Sequence, residues 1–239
     1  MRSPVRFQSL ERELEPVLPY LKGAVLNAGC GGRDVTPLLV RNGAARVTNC
    51  DLDPKIPGAI RCDLSAIPLA DASFDAVLCN AVLEHVQLPQ RVVSELRRLT
   101  RPGGVLVLGV PFLQPYHPHP TDFRRYTREG LVEIAREHDL EVVDLLPTDS
   151  LAQTVGAIVW FALHDKQKRW LRALLWLPIF LWTSLSRRTD FDLRLHANGY
   201  QAVMRRPAVA PSGGAQRAAR AASTRDAPGG RHIVSLHAW

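Results

Sequence analysis

A run of small residues, Gly29-Cys30-Gly31-Gly32, follows the short apolar stretch Ala24–Ala28, and Asp51, Asp63 and Asn80 each close a later apolar stretch. Glycines at such a turn let backbone approach a ligand with no Cβ in the way, next to the start of the following helix. A polar side chain at the end of a strand can then hydrogen-bond whatever the turn admits. A second concentration of chemistry lies in Tyr116-His117-Pro118-His119-Pro120-Thr121-Asp122-Phe123-Arg124-Arg125-Tyr126-Thr127. Histidine is the side chain suited to exchanging a proton near neutral pH, so His117 suits a general base. Asp122 suits orienting that base or binding a hydroxyl, and Arg124 or Arg125 suits holding an anionic group. The plainer alternative is that Asp122 caps the helix beginning nearby and pairs with an arginine. His85, within Leu83-Glu84-His85, is a second base candidate or a support for the loop through hydrogen bonding. His117, His119 and Asp122 are zinc-ligand types, but the prolines between them make the two histidines diverge, so no metal site is expected.

These residues need a scaffold, and the hydrophobic patterning supplies one. Phe7, Leu10, Leu14, Val17, Leu18 and Leu21 recur at helical spacing and predict an amphipathic lead-in helix. Strand, glycine-rich turn and helix follow over Ala24–Asn42. Arg46–Cys50, Ala59–Cys62 and Phe74–Cys79 read as strands. Arg91–Leu99 reads as a helix broken by Arg101-Pro102-Gly103-Gly104, ahead of the apolar strand Val105–Val110. Arg128–His138 is predicted helical, Leu140–Leu146 a strand, and Tyr200–Met204 the last strand. Strands alternating with helices, over connections too long for hairpins, imply an α/β, doubly wound, mostly parallel sheet. In such sheets the ligand crevice lies beyond the carboxyl ends of the strands, where Asp51, Asp63 and Asn80 fall. An NAD fingerprint would place glycine or alanine where Asp34 stands, and no Gly-Lys-Ser/Thr follows to make a P-loop.

Taken in order, five segments resemble the class I S-adenosylmethionine-dependent methyltransferases of the methyltransferase type 11-like kind. They are Val25-Leu26-Asn27-Ala28-Gly29-Cys30-Gly31-Gly32, Cys50-Asp51-Leu52-Asp53, Asp63-Leu64 with Asp71-Ala72-Ser73-Phe74-Asp75, Asn80-Ala81-Val82-Leu83-Glu84-His85-Val86, and Leu96–Gly104. The resemblance implies a seven-stranded Rossmann-like sheet and S-adenosyl-L-methionine as cofactor. It implies Asn27, Gly29, Gly31, Asp51, Leu52, Asp63, Leu64 and Asn80 as the residues lining the cofactor site, with Asp51 on the ribose hydroxyls and Asp63 on the adenine amino group. Two positions depart from the family pattern: Asn27 stands for an acid, and Arg33 for the third glycine. The stretch from Tyr116 resembles one found in bacterial methyltransferases associated with surface glycans and other secondary products. It implies a small-molecule or glycan-like acceptor; the residues themselves add the expectation of methylation at oxygen, with His117 and His85 catalytic and Tyr116, Asp122 and Arg125 at the acceptor. The competing expectation is a catalytically silent relative acting as a membrane-associated or partner-binding module.

The formal charge of +7 divides unevenly along the 239 residues. Residues 1–150 carry 17 Lys/Arg against 19 Asp/Glu, whereas residues 151–239 carry 13 against 4. The segment 150–188 holds two uncharged stretches, Ser150–Leu163 and Ala173–Ser186, each shorter than the roughly 20 residues of a spanning helix. Trp160, Trp170, Trp176 and Trp182 fall there beside basic residues, as in interfacial helices at a membrane face. An active-site cap or a homodimer interface uses the same apolar faces, and Pro178 is expected to kink the second helix. The expected organisation is an N-terminal helix (1–22), a cofactor-binding core (23–149), the helical insertion (150–188), the last-strand region (189–206) and a disordered basic tail (207–239). No RNA-reading motif accompanies the tail arginines, so no specific nucleic acid partner is expected. Scattered Cys30, Cys50, Cys62 and Cys79 form no Cys-x-x-Cys pair and read as buried thiols in a reducing compartment. With no apolar leader in Met1–Glu15, the expected location is cytoplasmic, peripheral on the inner membrane face.

Overall fold

The computed structural model describes residues 9–117, 120–163, 169–185 and 197–208. Seven strands form one sheet: β1 (Gly23–Ala28), β2 (Ala44–Asp51), β3 (Ile60–Arg61), β4 (Phe74–Asn80), β5 (Thr100–Pro111), β6 (Glu141–Thr148) and β7 (Gly199–Arg205). Their spatial order is β3-β2-β1-β4-β5-β7-β6, with β7 antiparallel to both neighbours and the other pairings parallel. This is the doubly wound, mostly parallel α/β architecture expected from the alternating pattern.

Two apolar layers explain why the central strands carry nearly uninterrupted runs of Val, Leu and Ala. Leu26, Val77, Leu106 and Met204 face one layer, against Val92, Val93, Leu96 and Leu99 of α3 (Pro89–Leu99) and Leu131 and Ile134 of α4 (Arg128–Glu137). Val25, Ala76, Leu78, Val107 and Val203, their neighbours in sequence, face the other. That layer holds Leu14 of α1 (Leu10–Leu14) and Leu39 of α2 (Thr36–Arg41). A strand covered on both faces has no polar side to show, so alternation disappears from its sequence.

Helix ends follow their local chemistry. Thr127 accepts from the Gly130 amide at 3.0 Å to start α4, and Ser150 and Gln153 form a reciprocal capping box on α5 (Leu151–Ala162). The lead-in helix is shorter than its apolar period predicts. α1 ends at Leu14, and Glu15–Tyr20 tightens into a 3₁₀ turn containing Pro16 and Pro19, residues that cannot donate to an α-helical ladder. Its apolar residues stay buried because the 3₁₀ turn still packs Val17 and Leu18 inward. A second difference lies at Arg101-Pro102-Gly103-Gly104. The segment ends α3 as expected, yet it belongs to β5, because the Gly103 amide donates to the Arg206 carbonyl and the Arg206 amide returns a bond to Gly104.

The insertion between β6 and β7 is a helix pair, α5 and α6 (Arg169–Leu185), joined through Trp160, Ile179 and Trp176. α6 continues as helix on both sides of Pro178. No described helix is long and apolar enough to cross a membrane. The tail after Ala208 and the residues before Ser9 lie outside the described residues, as does His119.

Candidate active site

β1 delivers the chain into the glycine turn at the carboxyl edge of the sheet. Gly29 and Gly31 both have left-handed backbone, φ +77° and +52°, and a Cβ built on Gly31 would meet nothing within 4 Å. Open space over a left-handed glycine is what a ligand-facing turn needs. The Gly31 amide donates to Asp51 Oδ2 at 2.8 Å, while Oδ1 takes the Asp53 amide at 2.8 Å. The acid at the end of β2 is therefore locked to the turn after β1, and each oxygen retains a further lone pair. Asp63 Oδ1 accepts from the amide and hydroxyl of Ser65, bonds that hold its carboxyl below the usual range. Leu64 is buried nearby in sequence, and Leu52 is exposed. Asn27 is buried and donates to Asn49 Oδ1 at 2.8 Å, so this position offers a dipole and no charge.

A cavity of about 370 Å³ opens at the same edge, over the ends of β4, β5, β6 and β7. Among its lining residues are Arg33 of the glycine turn, Asn80, Glu84, Gln114, Asp149 and Glu13. Of the residues expected at the site from sequence, Asn80 lines this cavity; Tyr116, His117, Asp122 and Arg125 stand outside its walls. Glu13 was hidden in the sequence as one of the charges on an amphipathic helix. In the fold it accepts from Asn80 Nδ2 at 3.2 Å and Gln201 Nε2 at 3.3 Å, and burial raises its carboxyl above the ordinary value. Gln201 did leave a signal, as an amide inside the otherwise apolar last strand.

The loop after β5 is built around Asp122. Its side chain, 1% exposed, takes the His117 amide at 3.0 Å and a forked pair of bonds from Arg125, which also donates to the Gln114 and Pro115 carbonyls. Hydrogen bonding from Arg125 holds the Asp122 carboxyl down to about 2. Arg124 reaches back to the carbonyls of Val86 and Gln87. His117 Nδ1 lies 3.1 Å from the Pro115 carbonyl, and His85 Nδ1 lies 2.9 Å from that of Thr121. The loop is thereby stitched to the Leu83-Glu84-His85 turn, and the two rings meet edge to face with centroids 5.1 Å apart. Close to them sits Glu84, 0% exposed, with no hydrogen-bond partner among the described residues on either carboxylate oxygen. Burial pushes its carboxyl up to about 7.

These features fit S-adenosyl-L-methionine. The turn is open above Gly31, and Asp51 can accept from vicinal hydroxyls while keeping its two amide bonds. Asp63 stands just beyond the next strand, and the cavity with Asn80 and Glu13 adjoins the turn through Arg33. The sheet order and this edge define a Rossmann-like methyltransferase fold.

Comparison with known proteins agrees. Residues 26–108 match the methyltransferase domain family, so this part of the chain is similar to class I S-adenosylmethionine-dependent methyltransferase domains. A probable S-adenosylmethionine-dependent methyltransferase from Mycolicibacterium smegmatis is 32% identical over 141 residues, covering 51% of this chain and 53% of that protein. A ubiquinone biosynthesis O-methyltransferase from Xanthomonas axonopodis pv. citri is 34% identical over 122 residues, covering 44% and 48%. The crystal structure of a SAM-dependent methyltransferase from Archaeoglobus fulgidus superposes with a TM-score of 0.57 at 16% identity, covering 82% of this chain and 92% of that one. The chain thus spans about half the length of the curated relatives it matches.

Proposed function

We propose that this chain transfers a methyl group from S-adenosyl-L-methionine to an oxygen of a small-molecule or glycan-like acceptor. The observation carrying this reading is the Gly31–Asp51 turn at the carboxyl edge of the sheet, with Arg33 of that turn lining the 370 Å³ cavity alongside Asn80. When bound, the cofactor supplies a methyl group on a sulfonium, whose leaving group is already activated. What the chain must add is alignment and management of the acceptor proton. Asp51, Asp63, Asn27 and the glycine turn hold the cofactor, with Leu52 and Leu64 beside it. Glu13 offers the cavity a half-buried carboxylate that Asn27 does not. His117 and His85 activate the acceptor hydroxyl, on a loop that Asp122 and Arg125 keep in place, with Tyr116 exposed at its outer side. The similarity to a ubiquinone biosynthesis O-methyltransferase supports oxygen as the methylated atom.

We further propose that α5 and α6 rest against a membrane face. Trp170, Leu174, Leu177, Leu181 and Leu185 recur along α6 at intervals of three and four, and all are exposed, from 45% at Leu181 to 75% at Leu185. An outward apolar stripe bearing tryptophan, in a segment with basic residues, is suited to the headgroup layer.

The test of the catalytic reading is calorimetry with S-adenosyl-L-methionine, followed by incubation with labelled cofactor and a fractionated extract. Binding and a labelled product are expected. No heat at millimolar cofactor would leave the chain a catalytically silent relative.

A further inference from the structure

Glu84, His85 and His117 have one ligand-type atom apiece within 4.8 Å of the others. The first two are neighbours in the turn after β4, whereas His117 arrives on the loop after β5, which Asp122 and Arg125 fix in place. Three facts separate this trio from a chance meeting of polar groups. Glu84 is wholly buried and neither oxygen has a hydrogen-bond partner among the described residues, an arrangement that costs free energy unless something supplies one. His85 Nε2 lies 3.7 Å from Glu84 Oε1, too long for a hydrogen bond but close to the spacing of two ligands on one ion. Ligands around a tetrahedral ion with bonds of roughly 2.0–2.1 Å stand about 3.4 Å apart, so Glu84 and His85 are already near that spacing and His117, within 4.8 Å, completes the set by moving inward. Finally, each ring has its Nδ1 against a backbone carbonyl, Thr121 for His85 and Pro115 for His117. A ring donating from Nδ1 keeps the lone pair on Nε2, the outer-sphere arrangement that metal-binding histidines use.

We propose that Glu84, His85 and His117 bind a divalent transition-metal cation of the zinc type beside the cavity, which Glu84 alone of the three lines. Two imidazoles and one carboxylate select a borderline ion over magnesium or calcium, which prefer all-oxygen shells. Three protein ligands leave a coordination position vacant, and Glu84 lines the cavity, so an acceptor oxygen there can fill it. This last step rests on the methyl-transfer reading; cation binding itself does not. A hydroxyl coordinated in this way ionises closer to neutrality, releasing its proton to water, which specifies how the two histidines activate the acceptor. The prolines around His117 do separate it from His119 in sequence, but the partners it meets come from another loop.

The experiment titrates the full chain, stripped with chelator and dialysed, with Zn²⁺ by calorimetry and with Co²⁺ by visible absorption, in the absence of cofactor and acceptor. One equivalent is expected to bind at micromolar affinity or tighter, with Co²⁺ bands of a four- or five-coordinate site. Loss of an outer-sphere partner costs about 10–100-fold in metal affinity, so His117→Ala and His85→Ala should each cost at least about 100-fold. Glu84→Gln keeps the side-chain volume and should likewise abolish the tight equivalent, with its thermal melt recorded to show that it folds. His117 lies on a surface loop, so its variant keeps the test decisive if a Glu84 variant does not fold. A tight equivalent that survives His117→Ala, or no binding to the parent chain at millimolar Zn²⁺, overturns the proposal. Retained S-adenosyl-L-methionine binding in that event would leave the methyl-transfer reading standing, and the two failures are thus distinguishable.

Discussion

Asn80 and Gln201, 121 residues apart in sequence, share a hydrogen bond of 2.8 Å across the intervening strand β5. Gly109 is the β5 residue in register with both, and a Cβ there would collide with the Asn80 amide oxygen. The bridge exists because the middle strand has no side chain at that place. It ties the end of β4, the start of β7 and Glu13 of α1 into one cavity wall.

Gly109→Ala should therefore destabilise the protein by about 1–3 kcal/mol, the usual cost of overpacking a close-packed interior. Urea unfolding checks this. A smaller cost would show that Asn80 can swing away freely.

Asp51→Ala removes the acceptor proposed for the ribose hydroxyls. Hydrogen bonds to a charged group contribute about 1.5–3 kcal/mol each, so cofactor affinity should fall at least about tenfold. Calorimetry with S-adenosyl-L-methionine reads the change, and unchanged affinity would refute the ribose assignment.

The Asp75 carboxylate accepts from the Ala24 amide at 2.7 Å and from Arg101 at 2.5 Å, and the backbone bond is the main reason its carboxyl lies below the ordinary value. A depressed folded value gives stability that is present above the unfolded pKa of about 4 and lost as pH falls through the folded one. The parent chain should accordingly lose more stability between pH 6 and pH 3 than Asp75→Asn does. Denaturation curves at the two pH values measure the difference; because the pair is half exposed, it should be modest.

Replacing Trp170, Leu174 and Leu177 together by serine should abolish flotation of the chain with anionic vesicles while leaving cofactor binding unchanged. Equal flotation of parent and variant would reject the membrane-face proposal for α6.

Sheet class, the glycine turn and the acids at the strand ends were legible in the sequence, because short-range covalent geometry and apolar patterning dictate them. A doubly covered strand must be apolar throughout, and a turn beneath a ligand must spare its Cβ. The shortened lead-in helix was also written there, in Pro16 and Pro19, although the apolar period masked it. What the sequence could not rank was which polar residues meet. Glu13, Asn80 and Gln201 converge through the strand order β4-β5-β7, in which the last strand inserts beside β5. Glu84, His85 and His117 converge through a loop that Asp122 and Arg125 fold back. Residue types and local spacing thus determined the glycine turn and the acids along its edge by themselves. The opposite wall was decided by tertiary structure alone, because contacts between distant segments depend on strand order and loop closure, which no local pattern encodes.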